Sequence, residues 1–317
     1  MLHNLRHSRQ TKVASREGPI STARVIDGGF GQPPLSPTVA LRRRHGERIT
    51  IALLVAPAIL YLLALFVVPV GHMLVLSVTE PAVSLGNYRR LFTVPLYTHV
   101  MFNTFAVSFT VTLACLALGY PLAYVMARRN DWVAAVFLAA VGLSFWTGFI
   151  VRTYAWLVIL GQKGPLSAFY AFAGLGRPPQ ILFTTFSSTL GMVHILLPYM
   201  VLALYAVMRK IDPSYWRAAE SLGARPFAAF RHVFLPLSLP GVVNGCVLVF
   251  TICLGFYITP ILLGTPRNMM ISQLINQQIE DLLAWGFASA IAAVLLAMTL
   301  VLLAIYNRLA GLDRLWG

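Results

Sequence analysis

Six long stretches of this chain carry no charged side chain, and they constrain its fold more than any other feature. They span residues 49–79, 91–127, 132–151, 178–208, 232–266 and 282–307. Each exceeds the roughly 18 residues at which an apolar segment is expected to cross a bilayer as a helix. Charged residues make up 11% of the chain, whereas a soluble domain contains about 25%. The sequence therefore predicts an all-α integral membrane protein with six transmembrane helices.

The positive charges predict how the helices are oriented. The net charge of +14 would suggest a nucleic-acid partner in a soluble protein. Here most Lys and Arg residues beyond the first 41 fall in alternate loops, among them 42–48, 128–129 and 209–210. Membrane proteins concentrate these residues on the cytoplasmic side, next to anionic lipid headgroups. We therefore predict that both termini and residues 209–236 are cytoplasmic, and that nucleic acid is not a partner.

Composition also predicts the domain boundaries. Residues 1–48 are polar, basic and rich in Gly and Pro, which is typical of a disordered tail. The first apolar run begins too late for a cleavable signal peptide, whose core lies within about 30 residues of the start. We predict a disordered cytoplasmic tail over 1–48, a transmembrane domain over 49–309 and a short cytoplasmic tail over 310–317.

The third run leads into an aromatic cluster, FWTGFIVRTYAW, within a predicted continuous helix over 132–160. Spacings of four, three and four residues place Phe145, Phe149, Arg152 and Trp156 on one helical face. An arginine inside a membrane helix usually has a specific use. An interfacial aromatic belt, with the arginine reaching the headgroups, explains the pattern equally well.

Residues 209–236 separate the fourth and fifth runs and contain signals for two short helices. Asp212 and Pro213 are a helix cap and a favoured first helical residue. Gly223 supplies a left-handed end, Pro226 a second start, and Pro236 the expected stop of the second helix. The segment therefore predicts a helix, a tight turn and a second helix.

The first of these short helices has features of a docking element. Ala218 and Ala219 leave one side without bulk, and Trp216 and Leu222 are candidate apolar anchors. This pattern is typical of a helix that enters a groove of a partner protein. An amphipathic hairpin lying on the membrane is the alternative.

The sequence contains no recognisable nucleotide-binding or catalytic motif. No G-x-x-x-x-G-K-[ST] phosphate-binding loop occurs, and no catalytic set of residues can be assembled. The three cysteines, at positions 115, 246 and 253, lie in apolar runs and lack metal-ligand spacing. We predict a non-catalytic subunit that binds no metal or cofactor and depends on another chain for energy.

The 209–236 segment resembles the coupling-loop signature of binding-protein-dependent ABC importer permeases, Glu-Ala-Ala, three residues, Gly, nine residues, Ile-x-Leu-Pro. Ala218, Ala219, Gly223 and the pair Leu235-Pro236 match, and Val233 stands at the isoleucine position. Arg217 replaces the glutamate, and Glu220, one turn on, is a candidate partner for it. The resemblance implies that an ATPase docks at residues Trp216, Arg217, Ala218, Ala219, Leu222, Gly223, Leu235 and Pro236.

The resemblance covers nearly all of residues 51–307 and includes the stretches GNYRRLF, FWTGFIVRTYAW and GFYITPILLG. These are similar to the first permease of spermidine/putrescine-type importers. The resemblance implies the type I importer permease fold, with coupling helices between helices 4 and 5, in the inner membrane of a bacterium. It also implies a second permease in a heterodimer, two ATPase subunits that use ATP and Mg²⁺, and an extracytoplasmic solute-binding protein.

A translocation route is expected along the third helix and the broken end of the fifth. The residues predicted to face it are Trp146, Arg152, Tyr154, Trp156, Tyr257 and Thr259. The resemblance alone implies a polyamine substrate. The six apolar runs offer no carboxylate that would bind a cation, so the composition does not point to one. The alternatives are a permease for another solute (an amino-acid-like compound, an opine, iron or an anion), a proton-coupled secondary transporter using His194, and a non-transporting scaffold. A lone membrane histidine is more often bonded to a neighbouring helix than used as a proton relay.

Overall fold

The protein is a bundle of α-helices in a computed structural model that describes residues 37–129, 131–176 and 179–310, with side chains from 53 to 308. No β-strand occurs within these ranges. The helices are α1 Pro37–Thr79, α2 Gly86–Thr93, α3 Pro95–Arg128, α4 Asp131–Trp146, α5 Phe149–Leu160, α6 Pro165–Phe172, α7 Thr185–Met208, α8 Pro213–Ser221, α9 Pro226–Ala229, α10 Leu235–Leu254, α11 Ile258–Leu263, α12 Ile271–Glu280 and α13 Trp285–Ala310. A π-helical turn, Phe230–Phe234, joins α9 to α10, and a 3-10 turn, Pro266–Asn268, follows α11.

The membrane-spanning helices confirm the predicted fold class. Five helical segments are long and apolar enough to cross a bilayer: Leu53–Thr79, Pro95–Arg128, Thr185–Met208, Pro226–Leu254 and Trp285–Arg308. The sixth predicted span corresponds to a helix pair, Asp131–Trp146 and Phe149–Phe172, which is bent by 93°. The described residues therefore contain five helices of spanning length and one bent pair that corresponds to the sixth span.

The break in the third span contradicts the prediction of one continuous helix over 132–160. α4 ends at Trp146 and α5 begins at Phe149. Between them Gly148 adopts extended backbone angles, φ −54° and ψ 142°. Glycine is a poor helix former, so the helical path is easily left there. As a result Phe145 lies on α4, while the rest of the predicted aromatic face lies on α5.

The prediction that Pro236 stops a short helix is also wrong. The chain stays helical from α9 through the π-helical turn into α10. The continuous helical segment Pro226–Leu254 has 29 residues, more than the roughly 20 that a bilayer-spanning helix needs. At the junction the Leu235 N–H donates to the Phe230 carbonyl, five residues back. Pro236 lies in the first turn of α10, where a missing N–H is tolerated. Pro236 therefore lies near the start of α10 and does not end a helix.

The first helix begins earlier than the predicted domain boundary at residue 48. α1 starts at Pro37, a residue that is favoured at the first helical position. The stretch VALRRR that follows is rich in good helix formers. The remainder of the predicted tails, residues 1–36 and 311–317, lies outside the described residues. In the part of α1 that ends at Leu63, the side chains from Leu53 onward are exposed.

The centre of the bundle is α7, which packs against both α3 and α10. The fully buried Met200 on α7 faces Gly119 on one neighbour and Gly245 on the other. A Cβ atom added at Gly245 would lie 2.6 Å from the Met200 Sδ, and one added at Gly119 would lie 3.1 Å from its Cγ. The two missing side chains let the three helices approach closely, as small residues do in membrane bundles.

Two polar contacts attach the chain after α11 to the middle of α3. The Asn103 Nδ2 donates to the Met269 carbonyl at 3.0 Å. The Thr104 hydroxyl accepts a hydrogen bond of 2.8 Å from the Ile271 N–H. Since unpaired backbone groups are costly in a bilayer, these contacts stabilise the start of α12 against α3.

A bulky residue at Gly245 is expected to destabilise the bundle. Gly245→Val places methyl groups where the Met200 side chain lies, and overpacking of this kind costs about 1–3 kcal/mol. Thermal unfolding of the detergent-purified protein measures the loss as a lower midpoint. The matched control is Gly142→Val in α4, because a Cβ atom there meets nothing within 4 Å. An equal shift in both variants would contradict the close approach at Met200.

Candidate functional site

The helix and turn predicted within residues 209–236 are both present. The Asp212 carboxylate accepts a hydrogen bond of 2.7 Å from the Ser214 N–H and so caps α8. That hydrogen bond from the Ser214 backbone also lowers the pKa of Asp212 below its usual range. The cap therefore stays charged at neutral pH. Gly223 has φ +82°, the left-handed conformation that ends the helix, and α9 begins at Pro226.

This segment exposes several apolar side chains among charged ones such as Arg217 and Arg225. The side chain of Leu222 is 89% exposed, that of Phe227 72% and that of Tyr215 55%. Exposed apolar side chains grouped on one surface commonly mark a protein interface. The segment therefore presents a surface that a partner protein can cover.

The residues predicted to dock a partner occupy both faces of the segment. Those that are exposed are Arg217, Ala218, Leu222, Gly223 and Pro236; Trp216 and Leu235 are half-buried, and Ala219 is buried. The smallest side chain, Ala219, therefore allows the first helix to pack inward, while Ala218 stays on the outer face.

Trp216 faces the bundle and does not lie on the exposed surface. The guanidinium carbon of Arg128, at the end of α3, lies 3.8 Å from the centroid of the Trp216 ring. The indole Nε1 donates a hydrogen bond of 2.7 Å to the Glu220 carboxylate. Glu220 therefore bonds to Trp216, and the expected pairing with Arg217 is not observed. Trp216, predicted as an apolar anchor for a partner, contacts Arg128 of α3 and Glu220 within this chain.

Further contacts connect α3 to the helices that follow Gly223. The ring of Tyr124 makes edge contacts with Phe230 at 5.6 Å and with Phe234 at 5.0 Å between centroids. The Tyr120 hydroxyl shares a hydrogen bond of 2.9 Å with Ser238. These tyrosines were not predicted as site residues, although their four-residue spacing places them on one face of α3. The end of α3 is thus joined to the π-helical turn and to α10.

A second candidate site is a cavity of about 560 Å³ at which two helix breaks meet. One break is the bend between α4 and α5, and the other separates α10 from α11 at residues 255–257. Phe145, Tyr199 and Phe256 form aromatic parts of its wall, and the first two rings are 4.9 Å apart at 82°. Non-helical backbone at membrane depth is tolerated where it lines a cavity. The two breaks are therefore consistent with a solute-sized space inside the membrane.

Arg152 brings a positive charge to this cavity. Its Nη1 donates to the Ser144 hydroxyl at 3.1 Å, across the bend between α4 and α5. Its Nε is buried and has no hydrogen-bond partner among the described residues. A buried donor of this kind is costly unless a partner is supplied. The cavity is therefore lined by aromatic faces and by a cationic side chain whose Nε donor is buried and unpaired among the described residues.

The other residues predicted to face the route divide into three groups. Tyr257 lines the cavity beside Arg152. Thr259 is fully buried and shares a hydrogen bond of 3.0 Å with Thr153, so it joins α11 to α5. Trp146 and Tyr154 are exposed, at 91% and 52%.

Trp156 and His194 form a pair between α5 and α7. The Trp156 Nε1 donates a hydrogen bond of 3.1 Å to the His194 Nδ1, and the two rings meet edge to face at 5.8 Å. The accepting nitrogen is therefore unprotonated in this arrangement. His194 makes the helix-to-helix contact that is the more common role of a membrane histidine.

Comparisons with known proteins agree with this architecture. Residues 119–311 match the family described as "Binding-protein-dependent transport system inner membrane component". The chain is 33% identical over 262 residues to the spermidine/putrescine transport system permease protein PotB of Haemophilus influenzae, covering 79% of this chain and 91% of that protein. It is 33% identical over 254 residues to the inner membrane ABC transporter permease protein YdcU of Escherichia coli, covering 76% and 80%.

A solved structure shares the fold at low sequence identity. A bacterial ABC transporter involved in the import of the acidic polysaccharide alginate aligns with a TM-score of 0.70 and 17% identity. The alignment covers 86% of this chain and 98% of that one. The arrangement of helices is therefore that of an ABC transporter permease, as the predicted type I importer fold requires.

Fold and comparisons together define a multi-pass permease of the inner membrane. The chain belongs to the family of binding-protein-dependent transport system inner membrane components, whose model matches more than half of its length. It is a membrane subunit of an ABC importer and not an enzyme, as the sequence predicted. Family membership favours this function over the secondary transporter and the scaffold.

Cysteine labelling is expected to separate Tyr257 from Thr259. In a variant whose native cysteines are replaced, Tyr257→Cys lines the cavity and should react readily with a small water-soluble maleimide. Thr259→Cys is buried and reacts only when α11 opens, and an opening cost of about 1.4 kcal/mol slows labelling about tenfold. The measurement is the labelling rate in detergent micelles. Equal rates at both positions would contradict the placement of the cavity wall.

Proposed function

We propose that residues 209–236 lie in the cytoplasm and dock an ATPase subunit, which hydrolyses ATP with Mg²⁺ and drives transport. The exposed apolar surface formed by Leu222, Phe227 and Tyr215 is the observation that carries this proposal. The spacing from Ala218 to Pro236 supports it, because it matches the coupling-loop signature. Arg217 faces outward at the position where the signature has glutamate, so shape and apolar contact, and not an acidic pairing, hold the partner.

The complete importer contains more chains than this one. It comprises a second permease in a heterodimer, two ATPase subunits and an extracytoplasmic binding protein that delivers the solute. The position of Arg128, Arg129 and Arg209 at the same end of the bundle as α8 supports a cytoplasmic location for that end, because such residues are enriched there. Both termini are cytoplasmic in this topology.

The solute passes through the cavity between the two helix breaks. Tyr257 and Arg152 face the solute, since both line the cavity. Thr259 and Trp156 support the wall from behind through their hydrogen bonds to Thr153 and His194. Trp146 and Tyr154 take part through surfaces that the second permease covers.

A polyamine is the proposed solute. Relatives that are 33% identical over most of the chain are named spermidine/putrescine permeases. The rings of Tyr199, Phe256 and Tyr257 line the cavity. Aromatic faces attract ammonium groups without binding them as tightly as a carboxylate would. A permissive path of this kind leaves most of the selectivity to the binding protein.

One observation favours a second candidate solute class. Arg152 brings a buried guanidinium donor without a partner to the cavity. A carboxylate or another anionic group would satisfy that donor and repay its burial. Small solutes that carry such a group, such as amino-acid-like compounds and opines, are therefore the alternative cargo.

Gly223→Val is expected to uncouple transport from ATP hydrolysis. A β-branched residue at φ +82° costs about 1–2 kcal/mol in backbone strain, which lowers the fraction in the docking conformation about 5- to 30-fold. Uptake into proteoliposomes and the amount of ATPase that co-purifies are the two measurements. Gly174→Val is the matched control, because Gly174 has φ +66° and open space around it, far from α8. Equal losses in both variants would attribute the effect to general destabilisation.

Uptake assays with the assembled importer distinguish the two solute classes. With the cognate binding protein and ATP, we expect accumulation of radiolabelled spermidine or putrescine, and no accumulation by this chain alone. His194→Ala should retain uptake, because His194 only accepts a hydrogen bond from Trp156. Uptake driven by a pH gradient without the ATPase, and lost in His194→Ala, would overturn the proposed mechanism. If polyamines are not taken up, mass spectrometry of the ligand that co-purifies with the binding protein tests whether the solute is an anion.

A further inference from the structure

One face of α3 carries three side chains directed at the segment that follows α7. Tyr120, Tyr124 and Arg128 are four residues apart, so they lie in a row along the helix. The two tyrosines contact the π-helical turn and α10, which are continuous with the membrane span. Arg128, the last residue of the row, reaches Trp216 on α8. Arg128 thus joins α3 to the helix that carries the exposed docking surface.

A cavity of about 430 Å³ lies at this position. Its lining includes Arg128 and Arg209 from the ends of α3 and α7, and Trp216 and Glu220 from α8. Close packing transmits displacement between helices, whereas an open space does not. Side chains that span the space therefore connect α8 to the end of α3, in addition to the direct chain link from α7.

The contact between Arg128 and Trp216 spans this space with defined geometry. The guanidinium carbon stands 3.8 Å from the ring centroid, well inside the distance at which a cation and an aromatic face attract each other. The hydrogen bond from the indole Nε1 to Glu220 holds the ring in its orientation on α8. Arg209 is engaged elsewhere, in an ion pair with Asp131.

We propose that the stack of Arg128 on Trp216 couples displacement of α8 to α3, with Arg128 and Glu220 as positioning residues. The inference rests on the proposed docking of an ATPase at α8. When the ATPase moves α8, the stack moves the end of α3 with it, and the row of tyrosines carries the same movement to α10. Trp216 therefore acts inside the importer as part of the linkage, and not as a surface anchor for the ATPase.

The effect on coupling is moderate, because the stack is partly exposed. A cation–π contact of this kind changes an equilibrium about two- to fivefold. We expect Arg128→Ala to lower the stimulation of ATP hydrolysis by the cognate binding protein, measured as the ratio of stimulated to basal rate, by about two- to fivefold. Arg128→Lys keeps a cation near the ring and should recover most of the ratio.

The test uses the whole importer in proteoliposomes, with the binding protein carrying the solute that co-purifies with it. Arg129→Ala is the matched control, since Arg129 is the neighbouring arginine and does not line the cavity. It should retain the wild-type ratio. A double-mutant cycle with Trp216→Ala tests the pairing: the combined loss should be clearly smaller than the sum of the single losses.

Three results would overturn the linkage: a wild-type ratio in Arg128→Ala, additive losses in the cycle, or loss of ATPase binding in Arg128→Ala but not in Arg129→Ala. The last result would assign Arg128 to the docking surface itself. Failure of the proposed docking is distinguishable from all three, because it would appear in the wild-type protein as an importer that retains no ATPase.

Discussion

The close approach of three helices at Met200 positions everything else in this protein. Met200 occupies the space left by Gly119 on α3 and Gly245 on α10, so α7 lies tightly between them. One residue before it, Tyr199 reaches the cavity, and the end of α7 leads directly into residues 209–236. In a bilayer, where lipid is as apolar as a leucine side chain, such packing is a main source of helix association. Two of these helices, α7 and α10, line the cavity, and the chain after α7 forms residues 209–236.

The bilayer also explains where the helices are interrupted. Backbone groups that leave a helix inside the membrane need a polar or water-filled environment. Both interruptions, at Gly148 and at residues 255–257, adjoin the same cavity. The hydrogen bond from Arg152 to Ser144 crosses the first of them, so this charged side chain stabilises the bend next to which it lies. Both breaks therefore line the cavity, and Arg152 beside the first of them supplies its charge.

The docking segment divides its residues between an outer and an inner surface. Leu222 and Phe227 remain uncovered, whereas Ala219 and Trp216 turn toward the bundle. In the proposed importer, this division lets the segment bind a partner through its outer side chains and transmit movement through its inner ones. Arg217, at the position where the signature has glutamate, is exposed, and Trp216 donates its hydrogen bond to Glu220.

The sequence by itself determined the class of fold, the number of spans and the helix and turn around Gly223. These features depend on the length of each uncharged run, on helix-capping residues and on glycine. Each of these can be read from one continuous stretch of the chain. Only the tertiary structure decided that the third span is bent, that Pro236 lies inside a continuous helix, and that Trp216 packs on Arg128. Those outcomes depend on contacts between residues far apart in the chain. Local preferences at Gly148, Pro236 and Trp216 permit more than one arrangement, and helix packing selects among them.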